Sequence, residues 1–301
     1  MNKKIEKIIP RPVAPGMVGD GFRVYNYIPG AGVSQQRISP FLLLDFNAEV
    51  DFPATDKPRG VGVHPHRGFE TVTISYKGSV AHHDSAGNSG TIHPGDVQWM
   101  TAGAGILHKE YHDKDYAKKG GPFEMAQLWV NLPKKDKLTL PHYQAITSDQ
   151  MGVVELPGNQ GRIRVIAGEY NGVAGPAQTY SPVHVADIRL KKGGSTSTSL
   201  PASYNTAILV IHGSANINGI TATENSFVLF GNEGEEINIT AEDAPANAAA
   251  PTAADETILL LLSGEPIDEP IVSYGPFVMN TQSEIIDSIR DFQSGKYGVL
   301  E

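Results

Sequence analysis

An all-β protein of two barrels with one short C-terminal helix is the fold class this sequence predicts. Three observations carry it: short apolar runs between turn clusters, a scarcity of long amphipathic stripes, and a weak internal repeat. Among the 301 residues are 32 Gly and 21 Pro, and they punctuate segments of strand length. From Thr71 to Tyr76, Val72, Ile74 and Tyr76 alternate with Thr71, Thr73 and Ser75 before Lys77-Gly78-Ser79 turns the chain. From Gln127 to Leu132 the same period places Leu128, Val130 and Leu132 on one face and Gln127, Trp129 and Asn131 on the other. One face is expected to be core, the other pocket wall. The aliphatic run Ile258 to Leu262 reads as a buried strand, far too short to cross a bilayer.

The repeat sets the domain organisation. Tyr76-Lys77-Gly78-Ser79 matches Ile211-His212-Gly213-Ser214, each after a β-type apolar run, and Gly105 matches Gly234. Two domains of ordinary size are expected, 1–145 and 146–301, each able to bury its own core. Carried along the chain, the match sets His64 and His66 opposite Ser199 and Pro201, and His108 and Glu110 opposite Ile237 and Ile239. A metal site is therefore expected in the first barrel, and the second is expected to be metal-free.

The helix is predicted near the C-terminus. Thr281-Gln282-Ser283-Glu284 forms a capping box, Ile285, Ile286, Ile289 and Phe292 form an apolar stripe, and Gly295 is the stop. The Ala/Pro run between Glu242 and Asp255 reads as a surface loop. With 24 Lys plus Arg against 33 Asp plus Glu, the formal charge is -9 and no basic run is present, which disfavours direct contact with nucleic acid. The absence of cysteine excludes disulfides, thiolate nucleophiles and Cys-based metal sites, so any metal must sit on His, Asp or Glu. No signal-type apolar stretch follows the charged N-terminus and no membrane span is expected, so a cytoplasmic location is the default reading.

Eight of the ten histidines precede residue 143, and three of them fall in two compact patterns, His64-Pro65-His66 and His108-Lys109-Glu110. Residues two apart on a strand point the same way, so each pattern aims two side chains at one point inside a barrel. Either pattern alone is common in core and surface segments. Together they supply three neutral nitrogens and a carboxylate, a set that suits iron(II), manganese, nickel, copper or zinc and leaves two positions of an octahedral ion open. His82 and His83, after the Gly78 turn, either approach the pocket mouth or, the preferred reading, stand exposed on a hairpin; His93, His112 and His142 are expected on the surface, and Arg67 in a structural ion pair.

Two longer segments, His64-Pro65-His66-Arg67-Gly68-Phe69-Glu70-Thr71-Val72 and Pro94 through His108, resemble the signatures of the pirins, a branch of the cupin superfamily. Gln127 to Pro133 and Tyr274 to Thr281 resemble further pirin segments, so the similarity covers nearly the whole chain. What the resemblance implies is a pair of cupin-type barrels, of the double-stranded β-helix or jelly-roll kind. It also implies one iron(II) in the first barrel, on the residues matching His64, His66, His108 and Glu110. Cupins in general place a carboxylate ligand where Glu70 stands; in pirins the role passes to the position of Glu110, leaving Glu70 behind the ligands. Tyr111-His112-Asp113 departs from the Met-Pro found after the glutamate in several pirins, which bears on the surroundings of the site.

The activity implied is that of an iron-dependent dioxygenase able to cleave flavonols such as quercetin. Glu110 would be ligand and also the base for the flavonol 3-hydroxyl, and the flavonol-like molecule and dioxygen would be the small-molecule partners. The alternative reading is a metal- or redox-responsive regulatory protein that binds a protein partner and has no dedicated catalytic role, as eukaryotic pirins are thought to act.

Overall fold

The computed structural model describes residues 1–242 and 256–301, so the expected Ala/Pro surface loop lies outside the described residues. In chain order the first elements are β1 (Ile5–Ile9), β2 (Gly16–Val18), β3 (Phe22–Ile28), β4 (Phe41–Phe52), β5 (Gly60–His66) and β6 (Phe69–Lys77). They are followed by β7 (Val80–Asp84), β8 (Ser89–Ile92), β9 (Val97–Thr101), β10 (Ile106–His112), α1 (Lys114–Lys119), β11 (Gly121–Asn131) and β12 (His142–Ile146). The second half holds β13 (Gly152–Glu155), β14 (Gly161–Ala167), β15 (Glu169–Tyr170), β16 (Val173–Ala174), β17 (Val183–Lys191), β18 (Ser195–Ser199) and β19 (Asn205–His212). The chain ends with β20 (Ser214–Ile217), β21 (Ile220–Thr223), β22 (Phe227–Phe230), β23 (Glu236–Glu242), β24 (Glu256–Gly264), β25 (Val272–Tyr274), β26 (Phe277–Met279) and α2 (Gln282–Gln293).

Two compact units result, and the termini are exchanged relative to a single cut at 145. One unit comprises Pro12–Asp149 with Ile267–Glu301; the other comprises Gln150–Pro266 with Met1–Arg11. The cause is long-range pairing that local periodicity does not show. β1 pairs antiparallel with β22, Ile9 opposite Phe227, and so covers a sheet edge in the second unit. α2 buries Ile285 with Leu107, Phe277, Met279 and Tyr297 in the first unit. The capping box forms, since Thr281 accepts from the Glu284 N–H and the Glu284 carboxylate accepts from the Asn280 N–H. The apolar stripe is narrower than predicted: Ile286 is 55 % exposed and Phe292 is 40 % exposed.

Among the described residues each unit is built on two large antiparallel sheets, one seven-stranded and one four-stranded, beside a two-stranded one, β25-β26 in the first and β15-β16 in the second. In the first the orders are β12-β9-β6-β11-β4-β3-β2 and β5-β10-β7-β8; in the second they are β1-β22-β19-β24-β17-β14-β13 and β18-β23-β20-β21. The Gly78 and Gly213 turns occupy equivalent places, after β6 and after β19, with φ of 76° and 79°. A side chain at Gly78 would drive its Cβ to 2.5 Å from the Phe123 ring, so this turn admits only glycine. The strand pair that carries His64 opposite His108 in the first unit corresponds to β18 and β23 in the second, where Thr198 stands opposite Ile237. The histidine position thus falls on Thr198, one residue from the Ser199 that the repeat suggests. Ile237 and Ile239 belong to an apolar core with Ile188, Ile208 and Ile217.

Candidate metal centre

β5 and β10 run antiparallel with His64 opposite His108 and His66 opposite Ile106, and the register shifts between His108 and Glu110. The strand period turns the imidazoles of His64, His66 and His108 to one point. Ring centroids are 4.8 Å apart for His64 and His66, 4.3 Å for His64 and His108, and 4.7 Å for His66 and His108. One potential ligand atom from each of the three lies within 4.8 Å of the others, and a second such group joins His82, His108 and Glu110. His108 is common to both. Among the described residues these are the two groups of His, Asp and Glu able to hold a metal ion.

The hydrogen bonds fix much of the protonation. His64 Nδ1 lies 2.8 Å from the Gly62 carbonyl and so donates a proton there, with its Nε2 2.8 Å from His108 Nε2. His66 and His108 are held well below the usual imidazole range, first by burial and then by their histidine neighbours, so both are neutral. The Pro276 carbonyl partly offsets this at His66 but makes no well-formed hydrogen bond to the buried Nδ1. Glu110 is 6 % exposed, and its Oε1 lies 3.1 Å from the Thr73 hydroxyl. That hydroxyl is also 2.8 Å from Gln127 Oε1, and with one proton it serves one acceptor at a time.

Beside this cluster opens a cavity of about 430 Å³, lined by His64, His66, Glu110, Asp45 and Gln127 among apolar groups that include Val24, Leu43, Met125 and Trp129. As the strand parity of β11 predicts, Gln127 and Trp129 face this space while Leu128 and Val130 are core. Trp129 stacks on Phe69 at 4.2 Å and meets the edge of His66 at 5.3 Å. Asp45 accepts from the Asn26 amide at 2.8 Å, and burial raises its carboxyl despite that bond.

Several histidines lie elsewhere than predicted. His82 is fully buried, because Val80, His82 and Asp84 share the inner face of β7 while Ala81 and His83 face outward. The apolar Val80 at the same parity was the available signal. His112 is also buried, donating to the Gly21 carbonyl at 2.8 Å inside an aromatic box of Phe22, Phe52 and Phe123. His93 and His142 are exposed as expected. Glu70 is buried on Thr101, whose hydroxyl donates at 2.7 Å, and belongs to neither metal-capable group. Asp45 was not singled out by the sequence, since a lone acid in an apolar strand carries no spacing signal. No helix among the described residues is long and apolar enough to cross a membrane.

Known proteins match along the whole chain. The pirin family profile matches residues 21–130, and the profile described as the pirin C-terminal cupin domain matches residues 185–298. A Pseudomonas aeruginosa protein that bears the provisional name quercetin 2,3-dioxygenase is 45% identical over 280 residues, 93% of each chain. Pirin-1 of Arabidopsis thaliana is 33% identical over 306 residues, 99% of this chain and 96% of the relative. The crystal structure of quercetin 2,3-dioxygenase from Acinetobacter baumannii superposes with a TM-score of 0.90 at 43% identity, covering 100% of both chains. With a domain profile matched in each half and relatives aligned from end to end, the chain belongs to the pirin family of two-barrel cupin proteins.

Proposed function

We propose that this protein is a metal-dependent dioxygenase that opens flavonol-like aromatics, its metal held by His64, His66, His108 and Glu110. The observation that carries the reading is the convergence of three imidazoles beside an apolar cavity. Two nitrogens held by one ion at a right angle stand about 3 Å apart, given metal–nitrogen bonds of about 2.1 Å. The 2.8 Å between His64 Nε2 and His108 Nε2 matches that spacing, and at least one of the two carries no proton. The donor set of nitrogens and one carboxylate suits iron(II) first, with manganese, nickel, copper and zinc compatible. Bound there, iron(II) would supply the redox chemistry that lets dioxygen react with an electron-rich ring.

The chain's own residues do the rest. The apolar walls, with Trp129 at one side, fit a flat aromatic and exclude water, and the cavity volume falls in the ordinary range of about 300–1,000 Å³ for small-molecule sites. Glu110 faces the cavity and takes the proton of a substrate hydroxyl directed at the cluster, while the Thr73 hydroxyl at Oε1 holds the carboxylate in place. Gln127, which shares the Thr73 hydroxyl with Glu110, and Asp45 are further polar groups of the wall able to orient hydroxyls on the ring system. Iron loading without oxygen, followed by quercetin and dioxygen, tests the reading. Turnover above that of free iron, lost in His64→Ala together with the metal and reduced in Glu110→Gln, is expected; turnover no greater than free iron defeats it.

A further inference from the structure

We propose that His82 and Asp84 form a hydrogen-bonded dyad that orients His108 from behind and so sets how tightly the cluster holds its metal, an inference that rests on the metal reading above. The two nitrogens of His108 face opposite ways: Nε2 looks to His64 at 2.8 Å, and Nδ1 looks to His82 Nδ1 at 3.4 Å. The direction of the chain follows from its far end. A carboxylate only accepts, so Asp84 Oδ2, 3.3 Å from His82 Nε2, takes a proton donated by that nitrogen. The Gln98 amide Nε2 can only donate, and at 3.2 Å it makes His82 Nδ1 the acceptor. Its one lone pair serves one donor at a time, and His108 Nδ1, 3.4 Å away, is the other group that reaches it. A metal held by His64 and His108 would need both Nε2 lone pairs, and His82 Nδ1 would then be the acceptor for the His108 Nδ1–H.

The dyad is rigid. Asp84 Oδ1 accepts from the backbone N–H groups of Ala86 at 2.9 Å and Asn88 at 3.0 Å, and the Asn88 amide donates to the same carboxylate. His82 stacks on Tyr143 at 4.9 Å with 15° between the rings. The β-ladder places both groups, since His108 pairs with Asp84 and Glu110 pairs with His82. His82, His108 and Glu110 also satisfy the spacing of a ligand group. His82 Nδ1, however, is shared between Gln98 and His108 and is not directed at His64 or His66, which makes His82 a positioning residue. A histidine ligand whose outer nitrogen has a fixed partner is more basic and better aimed, and loss of such a partner typically weakens metal binding about 10- to 100-fold.

Cobalt(II) alone is the probe, titrated into the full chain and followed by its visible absorption, with His64→Ala as the reference for a lost site. His82→Phe preserves the stack on Tyr143 and removes the acceptor, so cobalt should bind about 10- to 100-fold more weakly with a displaced absorption band. His82→Asn can place Oδ1 where Nδ1 stood and should recover most of the affinity and the band. Asp84→Asn, which leaves a weaker acceptor for His82, should fall between wild type and His82→Phe. Wild-type affinity in His82→Phe overturns the dyad, as does an equal loss in His82→Phe and His82→Asn, which would report packing alone. If His82→Phe does not fold, wild-type affinity and band in Asp84→Asn overturn it. Failure of the wild type to bind, or binding unchanged in His64→Ala, overturns the metal site itself and the dyad with it.

Discussion

Arg67 Nη1 meets Asp291 Oδ2 at 2.9 Å and Tyr297 Oη at 3.2 Å, which ties the residue following His66 to the end of the C-terminal helix. Burial disfavours the guanidinium charge, but Tyr297 and Asp291 outweigh it. Arg67→Met removes the charge and strands two partly buried partners, and it should cost about 2 kcal/mol. Urea unfolding would measure this. Asp291→Asn, which keeps one acceptor, should cost less than half as much.

Lys137 is 2 % exposed and donates to the Gly68 carbonyl at 2.8 Å, Asn131 Oδ1 at 2.8 Å and the Val278 carbonyl at 3.0 Å. Burial lowers its ammonium to about 8, still charged at neutral pH. A folded value below the unfolded one means that the stability it confers is complete above about 10.5 and is lost as pH falls through 8. Wild type should therefore gain stability between pH 8 and 10 relative to Lys137→Met. At pH 7 that variant should still be the less stable by about 2–3 kcal/mol, because three buried acceptors lose their donor. Paired denaturant titrations at the two pH values check both statements.

Glu70 shows the opposite sign. Burial raises its carboxyl to about 7, against the Thr101 hydroxyl that favours the charged form. A folded value above the unfolded one gives stability that is complete below pH 4.5 and declines as pH rises through 7. Glu70→Gln keeps the shape and cannot ionise, so it should be less affected by pH and overtake wild type above pH 7. The expected swing between pH 5 and 8 is on the order of 2–3 kcal/mol. Equal pH profiles for the two proteins would defeat the assignment.

The barrel strands and the convergence of His64, His66 and His108 were legible because a period of two is a local property, readable from six residues at a time. The inward turn of Gln127 and Trp129 followed from the same rule. The exchange of termini was not legible, since β1 finds β22 across more than two hundred residues and nothing in Ile5–Ile9 names its partner. His82 was misplaced for another reason. Two adjacent histidines after a glycine turn look hydrophilic as a pair, whereas β7 separates them, His82 inward on Tyr143 and His83 outward. Ile286 shows the limit of a helical stripe: α2 buries Ile285, and the neighbouring isoleucine remains in solvent.

Gly68 sits at the turn between His66 and Phe69 with φ of 87°, and a Cβ there would lie 2.0 Å from the Val278 carbonyl oxygen. Gly68→Ala must therefore move either the hairpin of β25 and β26 or the strand carrying His66. It should destabilise by about 3 kcal/mol or more, and it should weaken metal binding as well, because the turn fixes where His66 points. Thermal unfolding of the metal-free protein and a cobalt(II) titration read the two effects separately.

Asp45 is a carboxyl in a cavity wall otherwise rich in apolar groups such as Trp129, and substrate choice should follow that contrast. Burial raises the Asp45 carboxyl, and Asn26 holds one of its oxygens, so the group is an acceptor poised in a poorly solvated place. A hydroxyl at the remote end of an aromatic substrate would donate to it. Asp45→Leu should then raise KM about 10-fold for a flavonol hydroxylated on its outer ring and leave kcat within a factor of two, since the group lies outside the histidine cluster. For a flavonol lacking those hydroxyls the same change should leave KM unchanged or lower it, because no donor is lost and a desolvated carboxyl is removed. Equal KM increases for both substrates would mean that Asp45 shapes the wall without reading the ligand.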